Sequence, residues 1–136
     1  MELMEIRRGL MAQMASGAIK FATGVIEPSE ELTTINISVP FNPTMFTIIV
    51  TNKSLESGKR QFIGYNHVVY NGYFYGLGIA SNSSGTSIAS PTVWTEDTQE
   101  NPCATIENGI VSIHLPRIAS LCRVLVGKTY RWFAYA

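Results

Sequence analysis

Charge is scarce in this sequence. Asp, Glu, Lys and Arg make up 15% of its 136 residues, against about 25% in an ordinary soluble domain. The ten basic and ten acidic residues cancel. No basic stripe is present to release counterions from a phosphate backbone, so nucleic acid is not an expected partner. Cysteine is nearly absent: Cys103 and Cys122 form neither a CxxC pair nor a disulfide framework. Both read as small core hydrophobes. No apolar run approaches the roughly 18 residues of a membrane span. A signal peptide is not expected either, because Glu2 and Glu5 stand where its positive charge belongs and Arg7 and Arg8 interrupt any apolar stretch. The expectation is a protein made in the cytosol that stays soluble.

Chemistry-bearing motifs are just as sparse. The only histidines are His67 and His114, both read as structural, and the four well-spaced ligands of a zinc site are missing. A Cys103–His114 nucleophilic pair is conceivable, since hairpin register sets the two opposite each other. No orienting Asn or Asp and no oxyanion glycines accompany it. Paired carboxylates in a recognisable hydrolase motif are also missing. The acidic loop of Glu96, Asp97 and Glu100 lacks the alternating ligands of a calcium loop. Glycines in "GYFYGLG" fall inside a strand, where they relieve crowding rather than cradle phosphate. No catalytic residue, metal or cofactor is predicted.

What is present is apolar residue in strand rhythm. Hydrophobic residues make up 46% of the chain, enough for one well-filled core. Residues 1–17 are the exception: Leu3, Ile6, Leu10 and Met14 recur at helical spacing, and Gly17 is a stop signal. From residue 18 to 136 the period is two. "TTINISV" alternates Ile35, Ile37 and Val39 with Thr34, Asn36 and Ser38, and "IKFATGV" sets Phe21 and Val25 against Lys20, Ala22 and Gly24. Asn71-Gly72 and Asn108-Gly109 each sit between β-rich runs, the signature of type I′ hairpins with Tyr70 opposite Tyr73 and Glu107 opposite Ile110. "LCRVLVGKTYRWFAYA" reads as two closing strands around Gly127-Lys128.

Eight or more short strands with near-regular turns predict a mainly β chain, an antiparallel, jelly-roll-like sandwich behind one short helix. Phe21, Ile35, Ile37, Ile48, Val111, Ile113, Tyr130 and Trp132 are the expected core. Tyr70, Tyr73 and Tyr75, with Trp94 beyond, combine apolar area with a polar tip. They are candidate ligand-binding residues, for a sugar or a protein surface, set against plain cross-strand pairing.

"MEIRRGLMAQM", "FATGVIEP…LTTINISVPFNPTMFTIIV" and "GKTYRWFAYA" together resemble small tail, baseplate and fibre proteins of tailed bacteriophages and their prophages, across nearly the whole chain. The resemblance implies a non-enzymatic virion component, made in the host cytoplasm, that works as symmetric copies alongside other tail proteins. It also implies assembly or contact with a host-surface glycan. Leu3, Ile6 and Leu10 fit a–d–a of a short heptad pattern, so a homotrimer around the helices is expected. The alternatives are a helix folded onto its own sandwich and, from another functional class, a freestanding carbohydrate-binding module.

Overall fold

The computed structural model describes residues 19–52, 55–89, 91–95 and 102–136. The expected helix with Leu3, Ile6, Leu10 and Met14 lies outside them, as does the loop of Glu96, Asp97 and Glu100. The chain is mainly β and its sheets are antiparallel. Nine strands are described: β1 (Phe21–Ile26), β2 (Thr34–Ser38), β3 (Met45–Val50), β4 (Phe62–Tyr70), β5 (Tyr73–Ala80), β6 (Thr92–Thr95), β7 (Ala104–Glu107), β8 (Ile110–His114) and β9 (Tyr130–Tyr135). One turn of helix, α1 (Leu115–Ile118), follows β8. No sequence pattern marks a helix there; Pro116 suits its first turn, where no N–H partner is needed.

Six strands form one sheet in the order β1-β9-β3-β4-β5-β6, and three form the other in the order β2-β8-β7. The chain crosses between the sheets after β1, β2, β6 and β8, and its first and last strands, β1 and β9, pair within the large sheet, a jelly-roll-like arrangement. β4, β5 and β6 extend the large sheet beyond β3.

Both predicted hairpins have the required geometry. Asn71 and Gly72 have φ of 53° and 81°, and Asn108 and Gly109 have φ of 51° and 76°, the two positive values a type I′ turn demands. The registers follow: Tyr70 faces Tyr73 and Glu107 faces Ile110. Gly109 is fixed further, its N–H donating to Asn42 Oδ1 at 2.6 Å and its C=O accepting from Val39 N at 2.7 Å.

The core lies between the sheets. Ile35, Ile37, Val111 and Ile113 reach it from the small sheet, and Phe46, Ile48, Tyr65, Tyr130 and Trp132 from the large one. Phe46 stacks on Trp132 with centroids 6.0 Å apart, and Phe62 on Tyr130 at 5.5 Å. Burying each such side chain contributes about 1.5–3 kcal/mol.

Two sequence expectations are corrected. Phe21 is 42% exposed and points away from the core; β1 turns Ala22, Gly24 and Ile26 inward instead. The physical reason is Trp132, whose indole needs the empty space over Gly24. The closing segment also contains one strand, not two: residues ahead of Gly127 are held by isolated bridges of Val124 to Leu32 and Arg123 to Gln61. The interruption coincides with Leu121, whose φ is 63°, a conformation that ends an extended ladder.

Candidate functional site

Because a strand alternates its side chains, the large sheet has a second face, directed away from the core. Register fixes which residues share it. One row crosses all six strands: Phe21, Tyr135, Met45, Val68, Tyr75 and Thr95, each the ladder partner of the next. The next row is Thr23, Phe133, Thr47, Asn66, Leu77 and Val93, and the third runs Val25, Arg131, Ile49, Gly64 and Ile79. Tyr70 and Tyr73 complete the face at the hairpin tip.

This face is apolar where an antiparallel sheet that meets water is expected to be polar. Phe21, Val25, Met45, Ile49, Val68, Val93 and Tyr135 are all exposed on it. Arg131 is its one charged residue among the described positions. The polar side chains that interrupt it are already engaged: Thr23 Oγ1 donates to Trp132 O at 2.6 Å, and Thr47 Oγ1 to Asn66 Oδ1. Six strands at about 4.8 Å spacing span about 24 Å, and five residues about 17 Å. The projected area, about 400 Å², falls among the largest patches monomers carry, which are often functional.

Three of the four predicted ligand residues lie here. Tyr70, Tyr73 and Tyr75 are 65%, 50% and 46% exposed, on one face and near one another. Trp94 is placed by its backbone, opposite Gly76; its side chain lies outside the described part of the structure. Sequence reasoning missed Phe21, Met45, Val68 and Tyr135 as surface residues. A signal was available, since β3 and β9 are apolar at both parities, which a strand with one wet face is not.

The titratable groups of the interior form a separate arrangement. Tyr65 OH lies 2.6 Å from His67 Nδ1, and His67 stacks on Phe74 with centroids 5.2 Å apart. Burial holds His67 down to about 4 and lifts the Tyr65 hydroxyl far above its ordinary value, so the hydroxyl donates and the imidazole is neutral. Burial likewise pushes the Cys103 and Cys122 thiols up to about 12. The two cysteines are free and buried. Cys103 does stand opposite His114, joined by a backbone bond from His114 N to Cys103 O of 2.6 Å. A buried thiol held protonated is no activated nucleophile.

His67, Val69 and Phe74 form one wall of a cleft of about 500 Å³, and the edge strand β7 with Pro102 forms the other. Asn42, Thr44, Thr105 and Glu107 bring polar groups to it. Among the described residues no three His, Cys, Asp or Glu side chains gather as a metal site. No described helix is long and apolar enough to cross a membrane. Comparison with protein-family models, with curated proteins and with solved structures finds no match to this chain.

Proposed function

We propose that this chain is a non-enzymatic structural building block that assembles as a symmetric homo-oligomer through the outer face of its six-stranded sheet. The carrying observation is that face: three rows of mostly apolar side chains crossing the sheet with one charge among them. Covering it with a second copy removes apolar area from water at about 25 cal/mol per Å². The low charge content of the whole chain, 15%, supports the same reading, since charge is depleted at interface cores.

The finer assignment, a component of a phage tail, baseplate or fibre, rests on the sequence resemblance, whose family works as symmetric copies. On that reading the apolar stripe of Leu3, Ile6 and Leu10 adds a helical seam that favours a trimer. Charge-introducing variants of the full chain separate the two contacts. Met45→Glu with Val68→Glu disrupts the sheet face, and Ile6→Asp with Leu10→Asp disrupts the seam. Loss of the oligomer in the first supports the sheet-face reading. An unchanged oligomer in the first and monomers in the second would transfer assembly to the N-terminal segment.

A second reading, contact with a host-surface glycan, draws on the exposed tyrosine group of Tyr70, Tyr73 and Tyr75. Flat aromatic area with hydroxyl tips stacks on sugar rings. Tyr73→Ala should then abolish adsorption to cells without changing fold or mass; adsorption that persists argues against it.

A further inference from the structure

Three loops converge: residues 56–60 ahead of β4, residues 82–87 between β5 and β6, and residues 119–123 after α1. The middle loop is wound around Asn82. Its Nδ2 donates to Thr86 Oγ1 and Ser87 Oγ, each at 3.0 Å, and its Oδ1 accepts from Thr86 N at 2.9 Å. Gly58 N–H donates to Ser84 O at 2.5 Å, tying the first loop to it. Gly85, at φ of 74°, packs so closely that a Cβ there runs into Glu56 O. In the third loop Leu121 holds φ of 63°, a strained conformation for a branched side chain. These contacts preorganise the loops, and between them lies a pocket of about 280 Å³ lined by Gly58, Arg60, Ser83, Ser120, Leu121 and Arg123.

Positive charge is in excess around the pocket. Arg60 is half-buried and has no carboxylate partner among the described residues; its Nη1 donates to Ser120 O at 2.8 Å. Arg123 spends one Nη1 on Glu31 Oε2 at 3.1 Å. Glu31 is shared with Lys59 at 2.8 Å, and Lys59 also lies 3.8 Å from Glu56. Three cations thus face two carboxylates. The Nε atoms of both arginines are buried without a hydrogen-bond partner. The Ser83 and Ser120 hydroxyls make no hydrogen bond among the described residues, which leaves them as further donors. A half-buried guanidinium without a counter-charge is costly, and paired guanidiniums match the oxygens of a phosphate or sulfate group in geometry as well as charge.

We propose that this pocket binds a tetrahedral oxyanion, a phosphate or sulfate group carried on a small ligand, between Arg60 and Arg123. The group takes its charge-assisted bonds from the two guanidiniums and neutral ones from Ser83 and Ser120. The pocket's lining shares no residue with the outer sheet face.

The test uses the full chain with inorganic phosphate as the probe, followed by NMR of the arginine Nε–Hε and Gly58 amide signals against chloride at matched ionic strength. Saturable shifts at Arg60, Arg123 and Gly58 are expected with phosphate and not with chloride. Arg60→Gln should weaken binding about tenfold or more, with partial rescue in Arg60→Lys. Ser83→Ala, which removes no bond of the fold, should weaken it several-fold. A parallel inorganic sulfate arm identifies the group by the tighter binder, and equal binding assigns the shared oxyanion chemistry. Shifts that rise linearly and match those in chloride would overturn the proposal, as would a folded Arg60→Gln that binds phosphate unchanged.

Discussion

Trp132 lays its indole over Gly24, its ladder partner on the edge strand β1. A Cβ on Gly24 would stand 2.6–2.7 Å from the indole Nε1, Cε2 and Cζ2 atoms, closer than any real contact. Gly24→Ala must therefore push the indole off Phe46, and overpacking of this kind costs about 1–3 kcal/mol. Trp132→Ala leaves a cavity instead and costs about 3–5 kcal/mol. Urea unfolding of both variants checks the pair. A Gly24→Ala protein as stable as the parent would mean the indole is not seated on β1.

The two hairpin glycines differ in what surrounds them. Gly72 has nothing within 4 Å of a built Cβ, whereas one at Gly109 runs into Val39 O. Both adopt positive φ, so each alanine carries a backbone cost of about 1 kcal/mol. Gly109→Ala adds a clash with backbone that β2 and Asn42 hold in place. Thermal melts should rank Gly109→Ala well below Gly72→Ala; equal losses would contradict the packing at Val39.

Burial of His67 gives stability a definite pH dependence. Its folded value of about 4 lies below the ordinary 6.5, so between those values the unfolded chain binds the extra proton. Stability from this group is complete above pH 6.5 and is lost as pH falls toward 4. Between pH 7.5 and 5.0 the loss is about 2 kcal/mol. His67→Phe keeps a ring against Phe74 and removes the titration. Denaturant unfolding at the two pH values should show the slope in the parent and not in the variant. A parent whose stability is flat over this range would contradict the burial of His67.

The strand rhythm and the Asn-Gly turns made most of this fold legible, because a two-residue turn fixes register and register fixes faces. Ile35, Ile37, Val111 and Ile113 needed nothing more: their strands alternate cleanly. Phe21 departs from the sequence expectation because β1 sets Phe21, Thr23 and Val25 against Ala22, Gly24 and Ile26, and the space over Gly24, not polarity, decides which side meets Trp132. The outer face was invisible for a related reason. Tyr70, Tyr73 and Tyr75 are neighbours along the chain and stood out, but Phe21, Met45, Val68 and Tyr135 join them only through the order β1-β9-β3-β4-β5. The Arg60–Arg123 pocket likewise depends on loops that share no sequence motif and meet through Asn82 and Gly85.

The central claim is that copies of this chain cover one another's outer sheet faces. Light scattering of the full chain over about a hundredfold range of concentration tests it most directly. The account predicts a mass of at least twice 15.0 kDa, collapsing to one chain in Met45→Glu with Val68→Glu while the β circular dichroism is unchanged. A parent chain that stays at 15.0 kDa across the whole range would contradict it.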